Sequence, residues 1–126
     1  MKHVSVIDSS ARKYQARAER LIRWLLVQTG NTGKLVECQL VGNVELPKNV
    51  LAFPADPTFP RPDLSAPSLG ELYLNPAYIE EHGENFDYML VHGFLHLLGY
   101  DHMKKSDRIL MEKKERELLR QKTKSA

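Results

Sequence analysis

The sequence has a single cysteine, Cys38, and a lone thiol cannot close an internal disulfide. That count fits a reducing compartment. Cys38 stands in an alternating apolar run and reads as core rather than as a nucleophile. No apolar stretch approaches the ~20 residues of a membrane span. The N-terminus, Met-Lys-His-Val-Ser-Val-Ile-Asp, reaches charge before the apolar centre of a secretory leader could form. The expectation is a cytoplasmic protein with no membrane partner. Internal repeats are also missing, as is any break in composition that would mark a second domain, so residues 1–126 read as one domain. A chain of this length buries roughly two-thirds of its unfolded surface without staples. Its 42% apolar and 27% charged residues are those of a soluble globular protein.

A large net charge is lacking too, but the formal +2 conceals an uneven distribution. Residues 1–33 hold six Lys/Arg against two Asp/Glu, residues 34–101 hold three against ten, and residues 102–126 hold nine against four. Basic ends around an acidic centre suggest a cation-binding middle between surfaces that attract a polyanion. Solvated helices at both ends would give the same pattern, and the C-terminal run reads more simply that way.

What the chain does have is histidine, concentrated in one place. The segment His92-Gly-Phe-Leu-His96-Leu-Leu-Gly99-Tyr-Asp-His102 holds three of the five histidines in eleven residues. His92 and His96 stand one helical turn apart on one face. Gly99 suits the left-handed conformation that ends a helix, and the chain then turns back to bring His102 to the open side of the pair. Three neutral imidazoles with a fourth position open are a catalytic zinc-type ligand set, although nickel, copper and iron also accept imidazole. The same spacing occurs in a class of metalloproteases that place a general-base glutamate directly after the first histidine. This chain has Gly93 there, which argues against peptide hydrolysis.

The rest of the pattern predicts an α+β domain: a mixed sheet of about four strands, helices packed on it, and a metal-binding helix-turn. Strands are expected at 3–7, 35–41, 49–53 and 69–74. A first helix runs from a Ser9 or Ser10 cap to about Gln28 and closes at Gly30, with Tyr14, Ala18, Leu21, Ile22, Leu25 and Leu26 as its apolar stripe. Trp24 reads as packing. Residues 54–68 hold five of the seven prolines and read as a long surface loop. Asn75-Pro76 opens a short helix that ends at Gly83. The site helix spans about 85–98 and is apolar on nearly every face, so it must be buried. A charged helix starts near Ser106 and fades before Lys124. His3 and His82 read as structural or exposed, and Tyr100 as packing.

With these residues in hand, the chain resembles the YbeY family of bacterial metal-dependent endoribonucleases. The family's segment His-Gly-x-Leu-His-Leu-x-Gly-Tyr-Asp-His is matched at every fixed position from His92 to His102. Pro47-Lys-Asn-Val-Leu-Ala-Phe-Pro54 and Leu69-Gly-Glu-Leu-Tyr-Leu74 are similar to two of its strands, and Met111-Glu-Lys-Lys-Glu-Arg-Glu-Leu-Leu agrees with its C-terminal part. The likeness covers about residues 35–119. One departure stands out. Family members carry a helix with an active-site arginine between the second and third strands, and here only Gly42-Asn-Val-Glu-Leu46 precedes Pro47. Lys48 is the nearest cation, a poorer partner for phosphate because it cannot bind in bidentate fashion.

The resemblance implies a zinc-dependent endoribonuclease specific for single strands, acting in ribosomal RNA maturation and ribosome quality control. Its partners would be single-stranded or ribosomal RNA, with proteins of the small ribosomal subunit as further candidates. His92, His96 and His102 would act through a metal-bound water of pKa about 7. That water would attack phosphorus or serve as base toward a ribose 2′-OH, and the sequence does not choose between the two. Arg12, Arg20, Arg23, Lys104, Lys105 and Arg108 are candidate contacts to the RNA backbone. Asp101 is a candidate to orient a ligand imidazole or, equally, a turn aspartate satisfying backbone amides. Glu71 could orient a ligand imidazole in the same way or, equally, be a surface strand residue. The missing arginine segment motivates an alternative, a non-catalytic ribosome-assembly or RNA-binding factor with a structural metal. A peptidase-like metallohydrolase is the third and weakest reading, because of Gly93.

Overall fold

Short runs that alternate apolar and polar residues build the sheet. In the computed structural model, which describes residues 2–101 and 103–125, they form β1 (Val4–Val6), β2 (Leu35–Leu40), β3 (Val50–Pro54) and β4 (Ser68–Leu74). The strand order is β1-β2-β4-β3. β1 is parallel to β2 and β2 to β4, while β3 runs antiparallel to β4. The register aligns Val4 with Cys38, Cys38 with Leu72, and Leu72 with Ala52, so one face collects the apolar set. Val4, Val36, Cys38, Leu40, Leu72 and Leu74 on that face are buried. The expected α+β layer with a four-stranded mixed sheet is therefore what forms.

The first helical region departs from expectation at its start. Asp8, not Ser9 or Ser10, is the cap, and its Oδ1 accepts from the Ser10 amide at 2.9 Å and from the Ser10 hydroxyl at 2.7 Å. A six-residue 3-10 stretch, Ser9–Tyr14, precedes α1 (Gln15–Gln28). The stripe of Ala18, Leu21, Ile22, Leu25 and Leu26 is buried as the spacing requires. Trp24 and Tyr100 pack against the core. Residues 41–49 connect β2 to β3 through turns alone, and 55–67 carry no regular structure.

α2 (Pro76–Glu81) is capped by Asn75 and α3 (Phe86–Leu97) by Asn85, each accepting the backbone amide three residues on. α3 buries Phe86, Leu90, Val91, Phe94, Leu95 and Leu97, with Phe94 fully enclosed. Each such side chain contributes about 1.5–3 kcal/mol through burial. The helix lies close over the sheet because Gly93 faces it. A Cβ at that position would collide with Leu72 Cδ1 and stand 2.9 Å from Val50 Cγ2.

α4 (Lys105–Ser125) is not the uniformly solvated helix its charge suggests. Met111, Glu115 and Leu118 are buried, each 1–2% exposed, and their i, i+4, i+7 spacing is one stripe turned toward the core. An ion-pair cluster fastens the helices together. Asp87, in the first turn of α3, accepts from Arg17 Nε on α1 at 2.8 Å and from Lys122 Nζ on α4 at 3.0 Å. Burial alone would raise the Asp87 pKa, but these two bonds outweigh it and hold the carboxyl below the usual carboxylate range.

Two outcomes follow from this packing. Gly93→Ala gains helix propensity of up to about 1 kcal/mol but overpacks a filled contact, at a cost of about 1–3 kcal/mol. Its thermal midpoint is expected to fall by about 3–5 °C, and a midpoint at or above wild type would show that the helix has room to lift. Asp87, with its folded pKa depressed, contributes stability that is complete above the unfolded value of about 3.9 and is lost as pH falls through the folded value. The stability difference between wild type and Asp87→Asn, followed by urea denaturation, is expected to be largest near neutrality and to shrink steadily below about pH 4.

Candidate metal centre

His92 and His96 project from the middle and last turn of α3, and both helix ends are secured. At the N-terminal end, Asn85 Oδ1 accepts from the Tyr88 amide at 2.8 Å. At the C-terminal end, Gly99 takes φ +96°. Its amide bonds the His96 carbonyl at 3.1 Å, and the Tyr100 amide bonds the Leu95 carbonyl at 3.1 Å. These are the two bonds of a Schellman closure, and only a residue without a Cβ meets its backbone demand without strain. The helix therefore stops at Leu97, one residue past His96, and the chain turns at Gly99.

The two imidazoles converge. His92 Nε2 and His96 Nε2 are 3.3 Å apart, with the rings nearly perpendicular at 79°. On the far side of its ring, His92 Nδ1 meets Glu115 Oε2 at 2.7 Å. Glu115 is 2% exposed, and Tyr88 Oη donates to its other oxygen, Oε1, over a longer 3.4 Å. Burial, and then the Glu115 carboxylate, raise the Tyr88 phenol pKa and keep it a donor. A carboxylate is an acceptor for a ring N–H at Nδ1, and this contact leaves Nε2 as the His92 nitrogen that faces His96.

This donor set suits a metal ion. Two nitrogens at the usual Zn–N length around one tetrahedral ion stand about 3.3 Å apart, the separation seen here. The same separation also admits an N–H···N hydrogen bond between the two rings. Among the described residues no group of three or more His, Cys, Asp or Glu donors assembles. His102, expected as the third ligand, lies outside the described residues.

The other candidates are distributed as follows. Asp101 Oδ1 accepts from the Met103 amide at 3.0 Å, a turn bond directly before the start of α4. Glu71 accepts from Tyr73 Oη on β4. Lys48 is exposed on the 41–49 connection, and its neighbour Asn49 bonds Glu84 and reaches Met89 Sδ at the start of α3. Lys104, Lys105 and Arg108 are exposed where α4 begins, directly beyond the helix-ending turn. Arg12, Arg20 and Arg23 are exposed along the 3-10 stretch and α1. Arg23 pairs with Glu19 and lines a recess with His3, Thr32 and Lys34, none of them residues of the histidine pair. The 55–67 loop borders an open groove of about 860 Å³ that reaches Leu97 at the end of α3. Its one cation, Arg61, is bound by Glu37 and Asp63.

Three groups outside the segment have structural roles. His3 is buried, and its Nδ1 accepts the Val36 amide at 3.1 Å. Burial lowers its pKa against the opposing pull of Glu19. His82 is exposed and stacks on Tyr78. Cys38 is fully buried, and desolvation drives its thiol pKa far upward, so it stays protonated. Glu115 is the residue that sequence reasoning missed. Its signal was present: in a helix of scattered charge, it is the carboxylate that falls on the apolar stripe of Met111 and Leu118.

Comparison with known proteins identifies relatives of this chain. The family profile of endoribonuclease YbeY matches residues 3–123. The chain is 42% identical over 89 residues to a protein named endoribonuclease YbeY from Rhodopseudomonas palustris, covering 62% of this chain and 52% of that one. It is 43% identical over 79 residues to the protein of the same name from Pseudomonas putida, covering 56% and 49%. Against the one from Corynebacterium kroppenstedtii it is 41% identical over 75 residues, covering 48% and 37%. The aligned part is thus about half the length, or less, of these relatives. With a match running nearly from end to end and a histidine pair set in a buried, capped helix, the chain belongs to the endoribonuclease YbeY family.

Proposed function

We propose that this protein is a zinc-dependent endoribonuclease that cuts single-stranded RNA. The observation that carries the reading is the His92–His96 pair, with Nε2 atoms 3.3 Å apart on a buried helix and a carboxylate behind the first ring. The names of the relatives support the reaction class, and imidazole ligands at this spacing support the metal. In the proposed site His92, His96 and His102 hold one zinc ion, with nickel as the next candidate. That ion, when bound, supplies positive charge against a phosphate oxygen and acidifies water beside it.

The chain's own residues do the remainder. Neutral ligands leave the full metal charge for the substrate. Gly93 offers no carboxylate on α3, and Glu115 is engaged on both oxygens, so neither serves as a general base toward substrate. Lys104, Lys105 and Arg108 hold the RNA backbone as it passes the turn. Lys48 contributes a further positive charge toward phosphate, without the planar fork of an arginine. The setting we propose is the cytoplasm, where the protein takes part in ribosomal RNA maturation and ribosome quality control, with small-subunit proteins among its partners.

A second reading rests on one observation. Residues 41–49 form turns only, so the helix that carries an arginine in related proteins has no counterpart here. On that reading the protein is a ribosome-assembly or RNA-binding factor whose metal is structural.

Cleavage of a labelled single-stranded RNA by wild type and by His96→Ala, purified identically and matched by circular dichroism, separates these readings. The expected result is a loss of about two orders of magnitude or more in the variant, together with loss of wild-type activity on chelation. Equal cleavage by both would assign the activity to a contaminating nuclease. No cleavage by either, with zinc bound and the fold intact, would favour the assembly-factor reading.

A further inference from the structure

Glu115 is a carboxylate placed where a helix of this shape calls for a leucine. It sits on the stripe of Met111 and Leu118, 2% exposed, and taking a charge from water into such a place costs several kcal/mol unless it is paired and bonded. Its two oxygens have two partners, both on α3. His92 Nδ1 lies 2.7 Å from Oε2, and Tyr88 Oη lies 3.4 Å from Oε1. Tyr88 and His92 are four residues apart, and their rings are near parallel at 24°. The carboxylate therefore bridges two successive turns of the site helix. It lies on the side of the imidazole away from His96.

We infer that Glu115 is the positioning residue of the histidine site: it fixes the His92 tautomer and ring angle, and so makes α4 a working part of the centre. Without an acceptor at Nδ1, a neutral imidazole distributes its proton between both nitrogens, and any fraction with the proton on Nε2 has no lone pair for an ion. With the carboxylate in place the ring is held Nδ1–H, and its Nε2 is also made more basic. The Nε2–Nε2 separation of 3.3 Å is then set before any ligand arrives. The inference rests on the metal reading above for its consequence, but the tautomer itself is a property of the metal-free chain.

Two variants and two readouts test it. Glu115→Gln keeps a neutral acceptor for Nδ1–H, and Glu115→Leu completes the apolar stripe and so favours folding. Two-dimensional ¹H–¹⁵N spectra of the metal-free proteins report which His92 nitrogen is protonated. Competition with a chromophoric chelator reports zinc affinity. Wild type and Glu115→Gln are expected to show the Nδ1–H form, with zinc affinity in the glutamine variant weakened about tenfold. Glu115→Leu is expected to show mixed tautomers and zinc binding weakened about 10–100-fold, while melting at or above the wild-type temperature. A purely structural glutamate would shift the melting temperature and leave both other readouts alone. A folded Glu115→Leu protein with wild-type tautomer and wild-type zinc affinity would overturn the inference. Should the leucine variant fail to fold, unchanged zinc affinity in Glu115→Gln would overturn it, and weakened affinity would uphold it. If wild type holds no zinc but the tautomer still changes on mutation to leucine, the positioning role stands and the metal reading falls.

Discussion

The close approach of α3 to the sheet at Gly93 governs where every other part of the site can be. With no side chain between them, the helix settles directly on Leu72 and Val50. Successive residues of a helix are about 100° apart, so once residue 93 faces the sheet, residues 92 and 96 both project to one flank, within about 40° of each other. That flank is where α4 packs. The same constraint accounts for the missing protease base. In this fold a side chain at 93 would enter the core rather than the site, so the glycine is a packing requirement as well as a chemical omission.

Holding the histidine pair rigid requires both ends of its helix to be secured and its rings to be buttressed. Asn85 and Gly99 secure the ends by satisfying backbone groups that would otherwise be orphaned. The Arg17–Asp87–Lys122 cluster ties the first turn of α3 to α1 and α4, and Glu115 ties its second turn to α4 again. The last helix thus serves two functions on two faces. Its outer surface is a basic field, and its inner stripe carries Glu115, whose carboxylate meets His92. A helix in which most residues are charged finds its place through Met111, Glu115 and Leu118.

Charge and geometry divide the labour around the centre. The basic residues expected to meet RNA fall into two sets, and only Lys104, Lys105 and Arg108 follow the turn at the end of α3. Arg61, the cation nearest the large groove, is already held by Glu37 and Asp63, so that groove presents no net positive face. The turn-only connection at 41–49 leaves Lys48 in a stretch that Asn49 anchors to the start of the site helix.

Much of this was written locally. The four strands, the capped site helix, the helix stop at Gly99 and the i, i+4 histidine pair all follow from spacing, capping and glycine chemistry, because each depends on residues within a turn or two. The cap at Asp8 in place of Ser9 or Ser10 was missed for the same local reason run in reverse: three adjacent residues can all cap, and the 3-10 stretch decided among them. What the sequence alone could not determine is which charged residue is buried. Asp101 makes the turn bond to the Met103 amide, one of its two expected roles, while Glu115, 23 residues from His92, puts a carboxylate against the His92 ring. A hydrogen bond across two helices is fixed by their packing angle and rotation. Those depend on the whole core, with Gly93 at its closest point, and no local pattern encodes them.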